Sequence, residues 1–383
     1  MTSLFYKSFH RLPDVRAYAP GRIEFLGNHV DYNGGNVLGA AVDLGIEVAL
    51  AARDDGECRL VSDSAKDPVV IELDRIAPLT GPVAWANYPL GVISIMREEG
   101  FAIRRGFDFA VTSTLPAGAG MSSSAALELA TAYALAALHG FHVERKRMVR
   151  LCRKAENEFV GMPCGILDQG VSAFGAPDHL VHIDCLTETF NRTPIPAGCH
   201  FWMFNTNKKH ALVDSSYSER HRACSEAFRI LKRANPGARC LAHISPETVV
   251  KMREELGVER SKRALHVTEE NRRVIQALHA LRGGRLDIVG SLLTASHRSS
   301  QMLFENSCDE LDHLVDRLTA FPGVYGARLS GGGFGGAVVA LTDETFGQES
   351  NLKRIKSEYI SQFGIEPTIF HTRAGKGAGP INA

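Results

Sequence analysis

A glycine turn followed by a row of hydroxyls constrains this chain more than any other feature. The segment is Leu115-Pro-Ala-Gly-Ala-Gly-Met-Ser-Ser-Ser-Ala-Ala-Leu-Glu128. Upstream, residues 107–113 are rich in β-branched and aromatic side chains and predict a strand. Downstream, residues 124–138 carry apolar residues at three- and four-residue spacing and predict a helix. Glycines at 118 and 120 let the backbone between them approach a ligand closely. The first N–H groups of a helix have no intrahelical partner, and the helix dipole favours negative charge there. Such a strand–turn–helix suits a phosphate. Ser122, Ser123 and Ser124 stand where a hydroxyl can cap the helix, meet a phosphate oxygen or bind a divalent cation. The chain has neither the G-x-x-x-x-G-K-[ST] string of a Walker loop nor the H-E-x-x-H of a zincin.

The rest of the chain mixes both kinds of element. Further strand-like runs fall at 46–52, 69–73, 180–185, 200–204, 337–342 and 368–371, and helix-like stretches at 84–99, 145–158, 215–232, 265–281, 286–303 and 309–318. Strands dominate the first quarter and helices dominate 205–320, which predicts an α+β fold. With 383 residues the chain is long enough for two domains. The turn-rich stretch Thr-Pro-Ile-Pro-Ala-Gly at 193–198 is the expected boundary, giving domains 1–192 and 193–383 with the active site in the cleft between them. Lys and Arg together number 43, as do Asp and Glu, so no basic excess points to a nucleic acid. The longest apolar stretch, 125–138, contains Glu128 and is too short for a membrane span. The eight cysteines are scattered without a C-x-x-C pair, and the first residues lack an apolar signal core; both predict a cytoplasmic protein with free thiols.

At the Pro-x-Gly-x-Gly-Met-Ser-Ser-Ser string the chain resembles the GHMP kinase superfamily, and other motifs narrow the resemblance to the galactokinases. Ala19-Pro-Gly-Arg-Ile-Glu-Phe-Leu-Gly-Asn-His-Val-Asp-Tyr-Asn-Gly-Gly35 is similar to their first signature, usually G-R-x-N-L-I-G-E-H-x-D-Y-x-x-G. Trp85-Ala-Asn-Tyr88 resembles their adenine-side element, and residues 155–169 the segment carrying metal ligand and base. Residues 205–217 resemble the stretch that covers the sugar, and Ser330-Gly-Gly-Gly-Phe-Gly-Gly336 the third superfamily motif. The likeness runs from about Tyr18 to the C-terminus, in the family's order.

The resemblance implies a two-domain GHMP-kinase fold and ATP- and Mg²⁺-dependent phosphorylation of galactose at C1, in galactose metabolism. Asp168 would accept the anomeric hydroxyl proton, with Arg22 beside it. Asn28, His29, Asp31, Gly165 and Tyr217 would form the sugar site, with Asp31 accepting from two adjacent hydroxyls. Trp85, Pro116, Gly118, Ala119, Gly120, Met121, Ser122, Ser123 and Ser124 would hold the nucleotide. Glu156 would bind Mg²⁺ with Ser124 or Ser123; from the residues alone Glu158 competes with it, and the resemblance selects Glu156. Lys209 would reach phosphate. The glycines at 331–333, 335 and 336 would turn tightly against the nucleotide site, and His266 and His297 receive no role. A monomer is expected.

Two positions depart from the pattern. The usual Asn is Glu24 and the usual Glu, which faces the sugar's C6 end, is Asn28. An amide both accepts and donates. Asn28 is therefore expected to bind a C6 hydroxyl by a neutral bond of about 1 kcal/mol and to leave weak activity on galacturonate. A kinase for a uronic acid or another C6-modified sugar stays open, as does a non-catalytic sugar sensor, although the intact serine string and Asp168 speak against a sensor. Ala337, where the family has Cys, exchanges one small residue for another.

Overall fold

The computed structural model describes residues 1–116, 118–208 and 213–381. Its strands are β1 (Val15–Leu26), β2 (Asn36–Ala52), β3 (Glu57–Ser62), β4 (Val69–Glu72), β5 (Phe107–Ser113), β6 (His179–Asp184), β7 (Thr189–Pro194), β8 (His200–Asn205), β9 (Val324–Ser330), β10 (Ala337–Thr342), β11 (Thr368–Thr372) and β12 (Gly379–Pro380). They form two sheets. The first runs β12-β1-β2-β5-β3-β4, with β6 on β2 and β7 on β6; the second runs β11-β8-β10-β9. The fold is thus α+β, as the element pattern predicts.

The 17-residue β2 is the spine of the first sheet. Its first residues pair with β6 and its last with β5, while β1 pairs along most of its length. One face of β1 and β2 carries helix Ser123–His139, which is apolar nearly all round and buried for most of its length. A helix of that composition is stable only when covered on several sides, and helices Asn87–Glu98, Arg145–Lys154 and Leu167–Phe174 cover it. The other face of the same strands, through Ile23, Phe25, Leu38 and Ala40, shares a core with Met203, Val339 and helix Arg253–Arg282. Strand β10 alternates between that core and a third cluster, where Val338 and Ala340 meet helices Asp309–Thr319 and Glu349–Phe363. A strand buried on both faces reads as a continuous apolar run, and Ala-Val-Val-Ala-Leu-Thr does.

Strand β7 runs through Pro194, so residues 193 and 194 belong to the first sheet, and the second begins with β8 at His200. The expected cut at 192/193 falls inside a strand because Thr193 pairs with Leu180. The chain's end returns to β1 through β12. We propose a division at 195–199, with the last strand added back to the first unit. No helix among the described residues is long and apolar enough to cross a membrane.

Candidate active site

The loop after β5 has the strand–turn–helix form that its composition predicts. Gly118 and Gly120 take left-handed φ of +68° and +63°. Helix Ser123–His139 starts with no side-chain cap on its N–H groups, so the serines leave its positive end open to an anion. Ser122, itself at φ +49°, donates its hydroxyl to Asp168 instead. Strand β1 pins the loop: Arg22 N–H donates to Met121 O at 3.0 Å and Arg22 Nη1 to Gly120 O at 2.6 Å. A cavity of about 420 Å³ opens on this loop, lined by Trp85, Tyr88, Pro116, Gly118, Ala119, Gly120, Met121 and the three serines. Such a volume suits a nucleotide. Ser62, Asp63 and Ser64 also border it; the serine–aspartate run gave no sign of this in the sequence.

A second, smaller cavity adjoins it, lined by Arg22, Glu24, Asn28, His29, Asp31, Gly165, Asp168, Tyr217 and Gly332. All residues expected to hold sugar and proton acceptor therefore converge. Asp168 sits in the first turn of helix Leu167–Phe174. Its Oδ1 accepts Arg22 Nε at 2.8 Å. Burial opposes the Arg22 charge, but Asp168 and Glu24 outweigh it and hold the guanidinium above its ordinary pKa. Asp31 lies in the tight turn between β1 and β2. Burial, with Asp168 and Glu24 adding repulsion, pushes its carboxyl up to about 7. Gly165 leaves room for it: a Cβ there would stand 2.0 Å from Asp31 Oδ2.

His29 places Nε2 3.2 Å from Gly332 O and Nδ1 3.0 Å from the Tyr32 hydroxyl. A carbonyl only accepts, so Nε2 carries the proton and Nδ1 accepts from Tyr32. Burial, with His266 adding, pushes His29 down to about 3, so the ring is neutral. It stacks on Phe304 at 4.3 Å and meets Tyr217 at 5.2 Å. Both nitrogens are thus engaged within the protein, and the ring stands as a wall of the cavity.

Asn28 departs from the expectation set for it. Its Nδ2 donates to Glu24 Oε1 at 2.8 Å and Gly331 O at 2.9 Å; its Oδ1 accepts from Asn306 Nδ2 at 2.9 Å and Ser300 Oγ at 3.2 Å. An amide has two donors and two lone pairs, so nothing remains for a sugar hydroxyl. Burial, with Asp168 adding to it, outweighs the pull of Arg328, Arg22 and the Asn28 hydrogen bond and leaves the Glu24 carboxyl above its ordinary pKa.

Glu156 follows helix Arg145–Lys154 in a π-helical turn, Ala155–Val160. It is buried, whereas Glu158 is exposed. Burial and Asp168 raise Glu156, and hydrogen bonds from Cys164, Ser124 and Gln169 lower it. Gln169 Nε2 donates to Glu156 at 2.6 Å and to the fully buried Glu128 at 3.0 Å. Burial and Glu156 raise Glu128 far above the carboxylate range. An all-oxygen set of a carboxylate, a hydroxyl and phosphates fits Mg²⁺, and the charge crowded around Glu156 fits a cation. Lys209 lies outside the described residues.

The glycine turn after β9 meets the smaller cavity as well as the loop after β5. Gly332 lines that cavity, and a Cβ on Gly120 would stand 3.1 Å from Ser330 O. Three residues that hold the site escaped the sequence reading. Glu270, fully buried, accepts from Gly27 N–H, Asn28 N–H, Ser296 Oγ and Arg273 Nε. Arg328, in β9, donates to the carbonyls of Glu24 and Phe25. His266, given no role above, places Nε2 3.1 Å from Asn28 O. Charged residues inside apolar strands and helices were the one available signal.

Three family models match the chain: the galactokinase galactose-binding signature over residues 3–52, the GHMP kinases N terminal domain over 87–176 and the GHMP kinases C terminal over 277–361. A galactokinase of Thermotoga neapolitana is 38% identical, covering 96% of this chain and 100% of its own. One from Exiguobacterium sibiricum is 35% identical over 100% and 97%. The crystal structure of Lactococcus lactis galactokinase complexed with galactose superposes with a TM-score of 0.94 at 31% identity, covering 99% and 98% of the two chains. The mevalonate kinase of Methanococcus jannaschii, 18% identical with a TM-score of 0.65, shares the fold. With identity on this scale over the full length, and with the galactose-binding signature and both kinase-domain models matching in order, this chain belongs to the galactokinase family of the GHMP kinases.

Proposed function

We propose that the chain transfers the γ-phosphoryl group of ATP to the C1 hydroxyl of galactose, giving galactose 1-phosphate and ADP. The observation that carries this is the Arg22–Asp168–Ser122 contact at the junction of the two cavities. Phosphoryl transfer needs positioning, charge stabilisation and an acceptor for the hydroxyl proton. Asp168 takes that proton as the sugar's O1 bonds to the γ-phosphorus and the bond to the β-phosphate oxygen breaks. Arg22, bridging Asp168 and Gly120 O, holds the carboxylate and faces the charge that develops on the phosphoryl oxygens. The open helix N-terminus after Ser122 holds phosphate. Asp31 accepts from two neighbouring sugar hydroxyls, while His29, Gly165 and Tyr217 shape the cavity. Mg²⁺, held by Glu156 with Ser124 or Ser123, would neutralise phosphate charge. We place this activity in the cytoplasm and in a monomer.

The test is ADP and galactose 1-phosphate formation from ATP and galactose. Binding without turnover would mark a sensor. Galacturonate should be inert: Glu24, Asp31 and Asp168 line the cavity, and Arg22, the one cation among its described lining residues, is already paired. Glu156→Ala should raise the Mg²⁺ concentration needed for half-maximal rate by tenfold or more, since loss of even an outer partner of a metal ligand costs roughly 10–100-fold, and Glu158→Ala should leave it unchanged. The reverse ranking in a Mg²⁺ titration would assign the metal to Glu158.

Asp31 gives sugar binding a pH dependence. Without sugar its carboxyl titrates near 7, and two hydroxyls donating to it require the ionised form. Below about pH 7 a proton must leave before sugar binds. Galactose affinity, measured by calorimetry, should then fall as pH drops, approaching tenfold per unit for one linked proton. Above that range it should level off. Asp31→Asn should bind weakly at every pH, and a flat profile in the native protein would remove Asp31 from the contact.

A further inference from the structure

The exchanged pair at positions 24 and 28 makes Glu24 the ligand-facing member. Both donors and both lone pairs of Asn28 are spent inside the protein. Glu24 differs. Its Oε1 accepts from Asn28 and, at 3.4–3.5 Å, from Arg328. Its Oε2 accepts, among the described residues, only the Gly331 N–H at 3.1 Å. Each carboxylate oxygen has two lone pairs, so Oε2 keeps one, on a side chain that lines the sugar cavity.

The strand sets where that lone pair lies. Arg22 and Glu24 are two apart on β1, in unbroken register with Ala41 and Gly39 of β2, so both side chains project from one face. Two residues of strand span roughly 6.5 Å. Arg22 holds Asp168, the group proposed for the anomeric hydroxyl. Of the three carboxylates lining the cavity, Asp168 is assigned to O1 and Asp31 to two ring hydroxyls, which leaves Glu24 for a remaining hydroxyl, and a hexopyranose held by O1 still has its exocyclic C6 hydroxyl to place.

We infer that Glu24, and not Asn28, is the specificity-determining residue at C6, accepting the C6 hydroxyl on Oε2 while Asn28, Gly331 and Arg328 hold the carboxylate in place. The inference rests on the C1-kinase reading above. It replaces a weak neutral bond with a charge-assisted one, which is about twice as strong.

The experiment compares kcat/KM for galactose and 6-deoxygalactose on the native enzyme, Glu24→Gln and Asn28→Ala. The native enzyme should prefer galactose by roughly 10–100-fold, the range for a hydrogen bond to a charged group. Glu24→Gln should bring the ratio to within a few-fold. Asn28→Ala should lower both sugars together and keep the ratio, as expected of a positioning residue. A merely structural Glu24 would depress both sugars equally and leave the ratio intact, which would overturn the inference. If Glu24→Gln fails to fold, the native ratio and Asn28→Ala still decide: a native ratio near one, or a ratio lost in Asn28→Ala, overturns it. An enzyme inert on both sugars overturns the reading of function and this inference with it, whereas equal turnover of both overturns this inference alone.

Discussion

Asp168→Asn is expected to lower kcat by roughly 10²–10⁴-fold, the usual worth of general-base assistance, while galactose and nucleotide still bind. The amide is nearly isosteric, and its oxygen can still accept Arg22 Nε, which now meets Asp168 Oδ1 at 2.8 Å. What it cannot do is take a proton. It also removes the negative charge opposite Arg22, leaving the guanidinium without its ion-pair partner at the phosphate loop. Turnover followed by ADP release, with both ligand affinities measured by calorimetry, separates these effects. A kcat close to the native value would show that another group receives the proton, or that transfer proceeds without one. A loss confined to KM would show that Asp168 only binds sugar.

Glu270→Ala is expected to destabilise the protein by about 3–5 kcal/mol, the range for breaking a buried ion pair by removing one partner. Burial opposes the Glu270 charge, yet Arg273 and Arg328 outweigh it and pull the carboxyl down to about 2. Its Oε1 also holds the backbone of Gly27 and Asn28 at 3.0 and 3.3 Å. The variant therefore leaves the largely buried Arg273 with only its longer pair to Glu269, at 3.5 Å, among the described residues, and releases the turn that carries His29 and Asp31. A lower unfolding midpoint accompanied by weaker galactose binding is the expected pair of results. An unchanged midpoint would mean that water or a shifted side chain replaces every one of these contacts.

Features that depend on neighbours in the chain were legible. The strand at Phe107–Ser113, the turn and the helix at Ser123–His139 lie within 33 residues, and their apolar spacing and glycines dictate local backbone. Strand β1 was missed because Pro20 and Gly21 interrupt its pattern. The register shift at that point, together with pairing to β2, absorbs them. Helix Leu167–Phe174 was missed because eight residues cannot show a helical period clearly. The π-helical turn at Ala155–Val160, read as plain helix, is a backbone adjustment that side-chain spacing does not reveal.

The sequence by itself determined the strand–turn–helix of residues 107–139, which one contiguous string builds, and the α+β class, which shows in the spacing of apolar residues along the chain; five motifs in order carried the resemblance that gave the reaction class. Whether Asn28 or Glu24 keeps a free hydrogen-bonding position was decided only by tertiary structure. Asn28 looks free in the sequence, since its partners Gly331, Asn306 and Ser300 lie 303, 278 and 272 residues away. Hydrogen-bond capacity is finite, and it can be counted only when every donor and acceptor has been brought into place. Folding spends the whole capacity of Asn28 and leaves one lone pair on Glu24.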